Sequence, residues 1–218
     1  MNRPTLQVPM VPVQRLAGWA RHDVVNLLAG AGLRGIELGV AEGVFSQRMV
    51  RSGRFDKFFG VDIYADAHNT AEYKRALQRV GLDANYSLLR MSFDEAYDLF
   101  PDGYFDFVYV DGYAHGGENG GDTIFDWFSK VKVGGLIAGD DYHADWPLVV
   151  WAVNEFARQT GADLLVTDGP QEGDPYCRYP SWAIVKQGPA PAIRPPAPLR
   201  EMGHRENERI ARLRAQTR

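Results

Sequence analysis

Arg34-Gly35-Ile36-Glu37-Leu38-Gly39-Val40-Ala41-Glu42-Gly43 is the stretch that decides the fold. Ile36 and Leu38 alternate with Glu37 and Gly39, as in a short buried strand. Gly39 and Gly43 bracket a tight turn, and Val44, Phe45 and Met49 open an apolar helical face. Strand, turn and helix start together offer unpaired backbone amides to a small polar ligand. A dinucleotide site would read G-x-G-x-x-G, so that amides close on a pyrophosphate. The spacing here is E-x-G-x-x-x-G, and Glu37 and Glu42 set carboxylates at the turn. Carboxylates repel phosphate and suit a ligand carrying an ammonium or a sulfonium.

The 218 residues, 45% hydrophobic and 12% aromatic, suffice for one α/β domain with a sizeable core. No apolar run approaches the roughly 18 residues of a membrane span. The N-terminus has no continuous apolar stretch of a secretory signal, and Cys177 is the single cysteine. A cytoplasmic protein without internal disulfides or zinc–cysteine clusters is expected. The net charge of −4 gives no reason to expect nucleic acid as the main partner.

Outward from the decisive stretch, residues 1–30 read as an extended proline-bearing arm followed by one or two cover helices. Phe58 to Asp62 is a second buried strand ending in an acid. Asn69 or Thr70 caps a helix with Tyr73, Ala76, Leu77 and Val80 on one face. Tyr86 to Met91 is the third strand, and Ser92 either caps the next turn or meets a ligand. Tyr104 to Asp111 is the clearest strand, followed by a Gly-rich segment, 116–121, expected to be flexible and a candidate lid. Asp122 and Asp145 are expected to cap the next helices. Val133 to Gly139 is the fifth strand, ending in Asp140 and Asp141, and 162–167 and 181–185 close the sheet. Residues 31–187 thus form the domain. Residues 188–218 form a Pro/Ala linker and a basic helical arm, expected to be dispensable for folding, with homo-oligomerisation through the terminal arms left open.

The fold class expected is a Rossmann-like, seven-stranded, mostly parallel sheet with helices on both faces. In such a sheet the ligand lies across the carboxyl ends of the strands, where Asp62 can accept bonds from a ribose diol. Asp111, Asp140 and Asp141 end neighbouring strands. Three such acids in a partly dry cleft stay ionised only beside something positive, and a hard divalent cation such as Mg²⁺ takes oxygen ligands.

Glu37-Leu38-Gly39 with Gly43 resembles the first motif of class I S-adenosylmethionine-dependent methyltransferases. The resemblance covers residues 30–187. It implies S-adenosylmethionine as cofactor, with Glu37, Gly39, Gly43, Asp62, Ile63, Ser92 and Asp111 around it. Val110-Asp111-Gly112 and Gly139-Asp140-Asp141-Tyr142 resemble the metal-binding segments of cation-dependent O-methyltransferases of the catechol and macrocin types. This implies Asp111, Asp140 and Asp141 as Mg²⁺ ligands and a small-molecule hydroxyl as acceptor. The bases of those enzymes do not carry over, because their positions hold Ala114 and Tyr113. His115 is then the candidate base and His143 the reserve. The alternatives are a metal-independent methyltransferase with His115 as base, another metal-dependent biosynthetic enzyme, and a non-catalytic cofactor-binding module.

Overall fold

The computed structural model describes residues 8–65, 69–168, 175–189 and 191–216. The start of the expected N-terminal arm and part of the connection before the last strand lie outside these residues. Eight strands form one sheet in the order β1-β7-β8-β6-β5-β2-β3-β4. They are β1 Val13–Leu16, β2 Leu33–Leu38, β3 Phe55–Val61, β4 Tyr86–Leu89, β5 Phe105–Val110, β6 Val131–Gly139, β7 Leu164–Thr167 and β8 Trp182–Val185. All pairings are parallel except those of β8, which runs antiparallel to both β6 and β7. The eighth strand is a difference from expectation. Val13–Leu16 pairs in parallel with β7, where the sequence reads as the start of a cover helix. Its two ends are half-buried and its middle exposed, so an edge position satisfies the backbone without a full apolar face.

The helices are α1 Val44–Arg51, α2 Thr70–Ala76, α3 Phe93–Tyr97, α5 Asp122–Trp127, α6 Pro147–Thr160 and α7 Ala197–Gln216, with a short left-handed turn, α4 Gly117–Gly120, between α3 and α5. The central strand β5 feeds both sides of the sheet. Val108 and Val110 pack with Phe93, Ile124, Val149 and Val153 on one face, and Phe107 and Tyr109 with Val24, Phe45 and Met49 on the other. Fully burying side chains of this size stabilises by roughly 1.5–3 kcal/mol each. Asn69 caps α2 and Ser92 caps α3, each in a reciprocal box with the glutamate three residues on. Asp122 and Asp145 are not caps. Gly121 precedes α5 with φ 95°, and α6 starts after Trp146 with a proline that needs no capped amide.

The packing bears on two expectations about the periphery. Residues 116–121 are packed, and their glycines serve close approach. A Cβ on Gly117 would meet the Leu148 carbonyl oxygen at 2.6 Å. Helix α7 docks on the domain through two buried residues in its first two turns, Leu199 and Gly203. Leu199 is fully buried, and a Cβ on Gly203 would meet the Gly120 Cα at 2.6 Å. Arg200 pairs with Asp122 at 3.2 Å and Asn207 bonds Asn119 at 2.9 Å. The weak amphipathic pattern of this arm arises because its glycine contact carries no hydrophobic signal.

Candidate functional site

The chain turns sharply at the carboxyl ends of β2, β3, β5 and β6. Gly39 has φ 98°, and a Cβ there would come within 2.1 Å of the Asp111 carbonyl oxygen, so only glycine lets these two strand ends meet. Among the described residues, six non-glycine residues have left-handed φ: Ala41, Tyr64, Tyr113, Glu118, Asn119 and Asp141. All follow one of these four strand ends. Such conformations cost about 1–3 kcal/mol each and gather where a site requires them.

Between the strand ends lies a cavity of about 490 Å³, within the range of small-molecule sites. Gly39, Asp62 and Ile63 line one side, with Ser92 and Asp111 beside them and Tyr113 and His115 beyond. The remaining wall is α7, through Asn207, Ile210, Ala211 and Arg214. Asp62 is 3% exposed. Its carboxylate accepts the amides of Val40, Ala41 and Tyr64, each at 3.0 Å. These bonds hold the turn open around the cavity and leave about one of the roughly four acceptor directions of an ionised carboxylate for a ligand hydroxyl.

Glu37, Gly43, Asp140, Asp141 and His143 are not among the residues lining this cavity. Glu37 lies under the turn and accepts the Ser46 hydroxyl. Burial pushes its carboxyl well up, partly opposed by the Ser46 bond. Gly43 packs against Ala76 and Val80. Glu42 turns outward to Arg75 and Arg79. His143 accepts the Asp145 amide at 3.1 Å and stacks near Tyr179. His115 faces the cavity, its ring edge-on to Trp146 with centroids 4.5 Å apart.

The three expected metal ligands converge in a different way. Arg21, in a 3₁₀ turn at Arg21–Leu27, is 8% exposed and reaches between two of them. It pairs with Asp111 and, at 3.1 Å, with Asp140. Its Nε donates to the Tyr109 hydroxyl at 3.2 Å and Nη1 to the Tyr176 carbonyl at 3.4 Å. Among the described residues, no three His, Cys, Asp or Glu side chains are grouped so as to hold a metal ion. The donor set expected for Mg²⁺ therefore does not fit, because a guanidinium takes the carboxylate oxygens that the ion would need.

Burial pushes the Asp140 carboxyl up to about 6, against the pull of Arg21. Burial, with repulsion from Asp140 and Asp111, pushes Asp141 up to about 8. Glu118, which sequence reasoning left in a glycine loop, is 2% exposed with Oε2 unpartnered. Burial first, then Asp141, Asp111 and Asp140, raises its carboxyl well above the usual range. A raised acid binds more protons folded than unfolded between its two pKa values. Stability should therefore fall as pH rises from about 4, the ordinary carboxyl range, to about 8, where Asp141 ionises. Asp141→Asn should flatten that decline in denaturant titrations taken across this range. An unchanged slope would mean that Asp141 is ionised throughout.

Arg21 escaped the sequence reading because nothing local marks it: it stands among other polar residues, His22, Asp23 and Asn26, in the cover segment.

A mostly parallel sheet with its cavity across the carboxyl ends of central strands and an acid ending the neighbouring strand is a Rossmann-like arrangement. Residues 36–142, just under half of the 218-residue chain, match the family model described as a methyltransferase domain. The chain is 22% identical to an S-adenosylmethionine-dependent methyltransferase from Mesorhizobium loti, with 53% of this chain and 50% of that one covered and a TM-score of 0.41. It thus spans half that protein's length. A Klebsiella pneumoniae structure assigned as an O-methyltransferase is 21% identical, with 71% and 73% covered and a TM-score of 0.53. Spermidine synthase from Thermotoga maritima is 15% identical, with 79% and 60% covered and a TM-score of 0.57. The latter two share the fold. No curated protein matches. Among the described residues, no helix is long and apolar enough to cross a membrane.

Proposed function

We propose that this chain is an S-adenosylmethionine-dependent O-methyltransferase acting on a hydroxyl of a small molecule. The observation that carries the reading is Asp62, buried at the end of β3 and opposite Gly39, with one acceptor direction free towards the cavity. Asp62 would hold the ribose, and Ile63 and Ser92 would flank the base. Ser92 already spends its hydroxyl on capping α3, so its share is a wall contact. When bound, the cofactor supplies an electrophilic methyl on a positively charged sulfur. The Asp62 carboxylate beside the cavity favours that charge and disfavours a phosphate at the Gly39 turn.

The acceptor oxygen forms the new bond to the methyl carbon as the carbon–sulfur bond breaks, and its proton needs a base. His115 faces the cavity and supplies one, whereas His143 is engaged with Asp145 outside it. Most of the rate would come from holding the hydroxyl in line. The reading is tested by calorimetry with S-adenosylmethionine and by detecting S-adenosylhomocysteine across a panel of hydroxyl compounds. His115→Ala should lower kcat by about 10²–10⁴-fold and leave cofactor affinity within a few-fold. An unaffected kcat would exclude His115 as base. No binding of the cofactor at all would sink the proposal.

A further inference from the structure

We propose that Arg21 is the resident cation of this site, standing between Asp111 and Asp140 in place of a divalent metal ion. The strands that carry the two acids pair side by side, with Val110 opposite Gly139, so their carboxylates open onto one small space. Any cation in that space must satisfy both. The planar guanidinium does so from two separate nitrogens, one to each carboxylate. A fork of this geometry holds two carboxylates better than a point charge could.

Arg21 is also built in from every other side. Its guanidinium carbon lies 5.2 Å from the ring centres of Phe45 and Tyr109 and 4.8 Å from that of Tyr176. Nε and Nη1 each have a further acceptor, as given above. Asp140 in turn accepts the Ser181 hydroxyl at 2.9 Å, which fixes the carboxylate that Arg21 meets. An incoming metal ion would have to expel a desolvated guanidinium, bonded through all three of its nitrogens, from an aromatic cage, leaving that charge buried without a partner. The site therefore neutralises its acids from within. An acceptor here has no need of the two neighbouring oxygens that chelation to a metal would demand.

This inference deepens the reading of the same site, and binding measurements test it without turnover, so its failure and that of the methyltransferase reading are separable. Thermal unfolding and titration calorimetry of the full chain with Mg²⁺ and Mn²⁺, and with a chelator, are the measurements. The wild type should show no saturable metal binding and the same melting temperature under all three conditions. Arg21→Ala, which frees Asp111 and Asp140, should melt lower and regain several degrees on adding millimolar Mn²⁺, by mass action on the folded state. Arg21→Gln, close in length but neutral, should show the same gain in smaller measure. Saturable Mn²⁺ binding by the wild type, or a melting temperature lowered by chelator, would overturn the proposal. A folded Arg21→Ala protein indifferent to Mn²⁺ would overturn it as well. Should both variants prove insoluble, the wild-type titration still decides.

Discussion

Asp62→Ala is expected to cost the folded state about 2–4 kcal/mol and to weaken S-adenosylmethionine binding by roughly 10- to 100-fold. The two effects share one carboxylate but arise separately. In the folded protein it accepts the amides of Val40, Ala41 and Tyr64. A buried donor left without its partner costs about 1–3 kcal/mol, and water entering from the adjoining cavity would recover part of that. The affinity loss comes from the remaining acceptor direction, as a charge-assisted bond to a hydroxyl is about twice as strong as a neutral one. Denaturant unfolding reads the first effect and calorimetry the second. Asp62→Asn keeps one acceptor oxygen and should lie between alanine and wild type in both. An Asp62→Ala protein that binds the cofactor as tightly as wild type would remove the observation on which the proposed function rests.

Ending the chain at Gly188 is the other large perturbation. It removes α7, and with it the buried Leu199 and the cavity wall formed by Asn207, Ile210, Ala211 and Arg214. Losing a packed leucine costs about 2–5 kcal/mol, so a stability loss of that order is expected, with cofactor affinity falling by roughly tenfold or more as the cavity opens. Gly203→Leu tests the same docking with the chain length intact. Its side chain has no room over Gly120 and Gly116, so it should lever the helix off its seat and weaken binding in the same direction. A truncated protein with unaltered melting temperature and affinity would mean that α7 is a passenger.

What the sequence determined by itself is the part with a local or periodic signature. The strand ends at Gly39, Asp62, Asp111 and Asp140 were readable because alternating apolar runs stop there in glycine or acid, and parallel topology then brings them to one edge. A cap at Asn69 or Thr70 and one choice for Ser92 were readable from polar residues ahead of apolar helical faces. The structure settles them as reciprocal boxes of Asn69 with Glu72 and Ser92 with Glu95. The tertiary structure alone decided the rest, since it depends on partners distant in the chain. Arg21 meets Asp111 and Asp140 across separations of 90 and about 120 residues, and no local pattern records such a pairing. The glycines at 117 and 120 looked like flexibility and proved, together with Gly203, to be places where backbones touch. A missing side chain has the same spelling in either case, and only the neighbouring backbone shows which one applies.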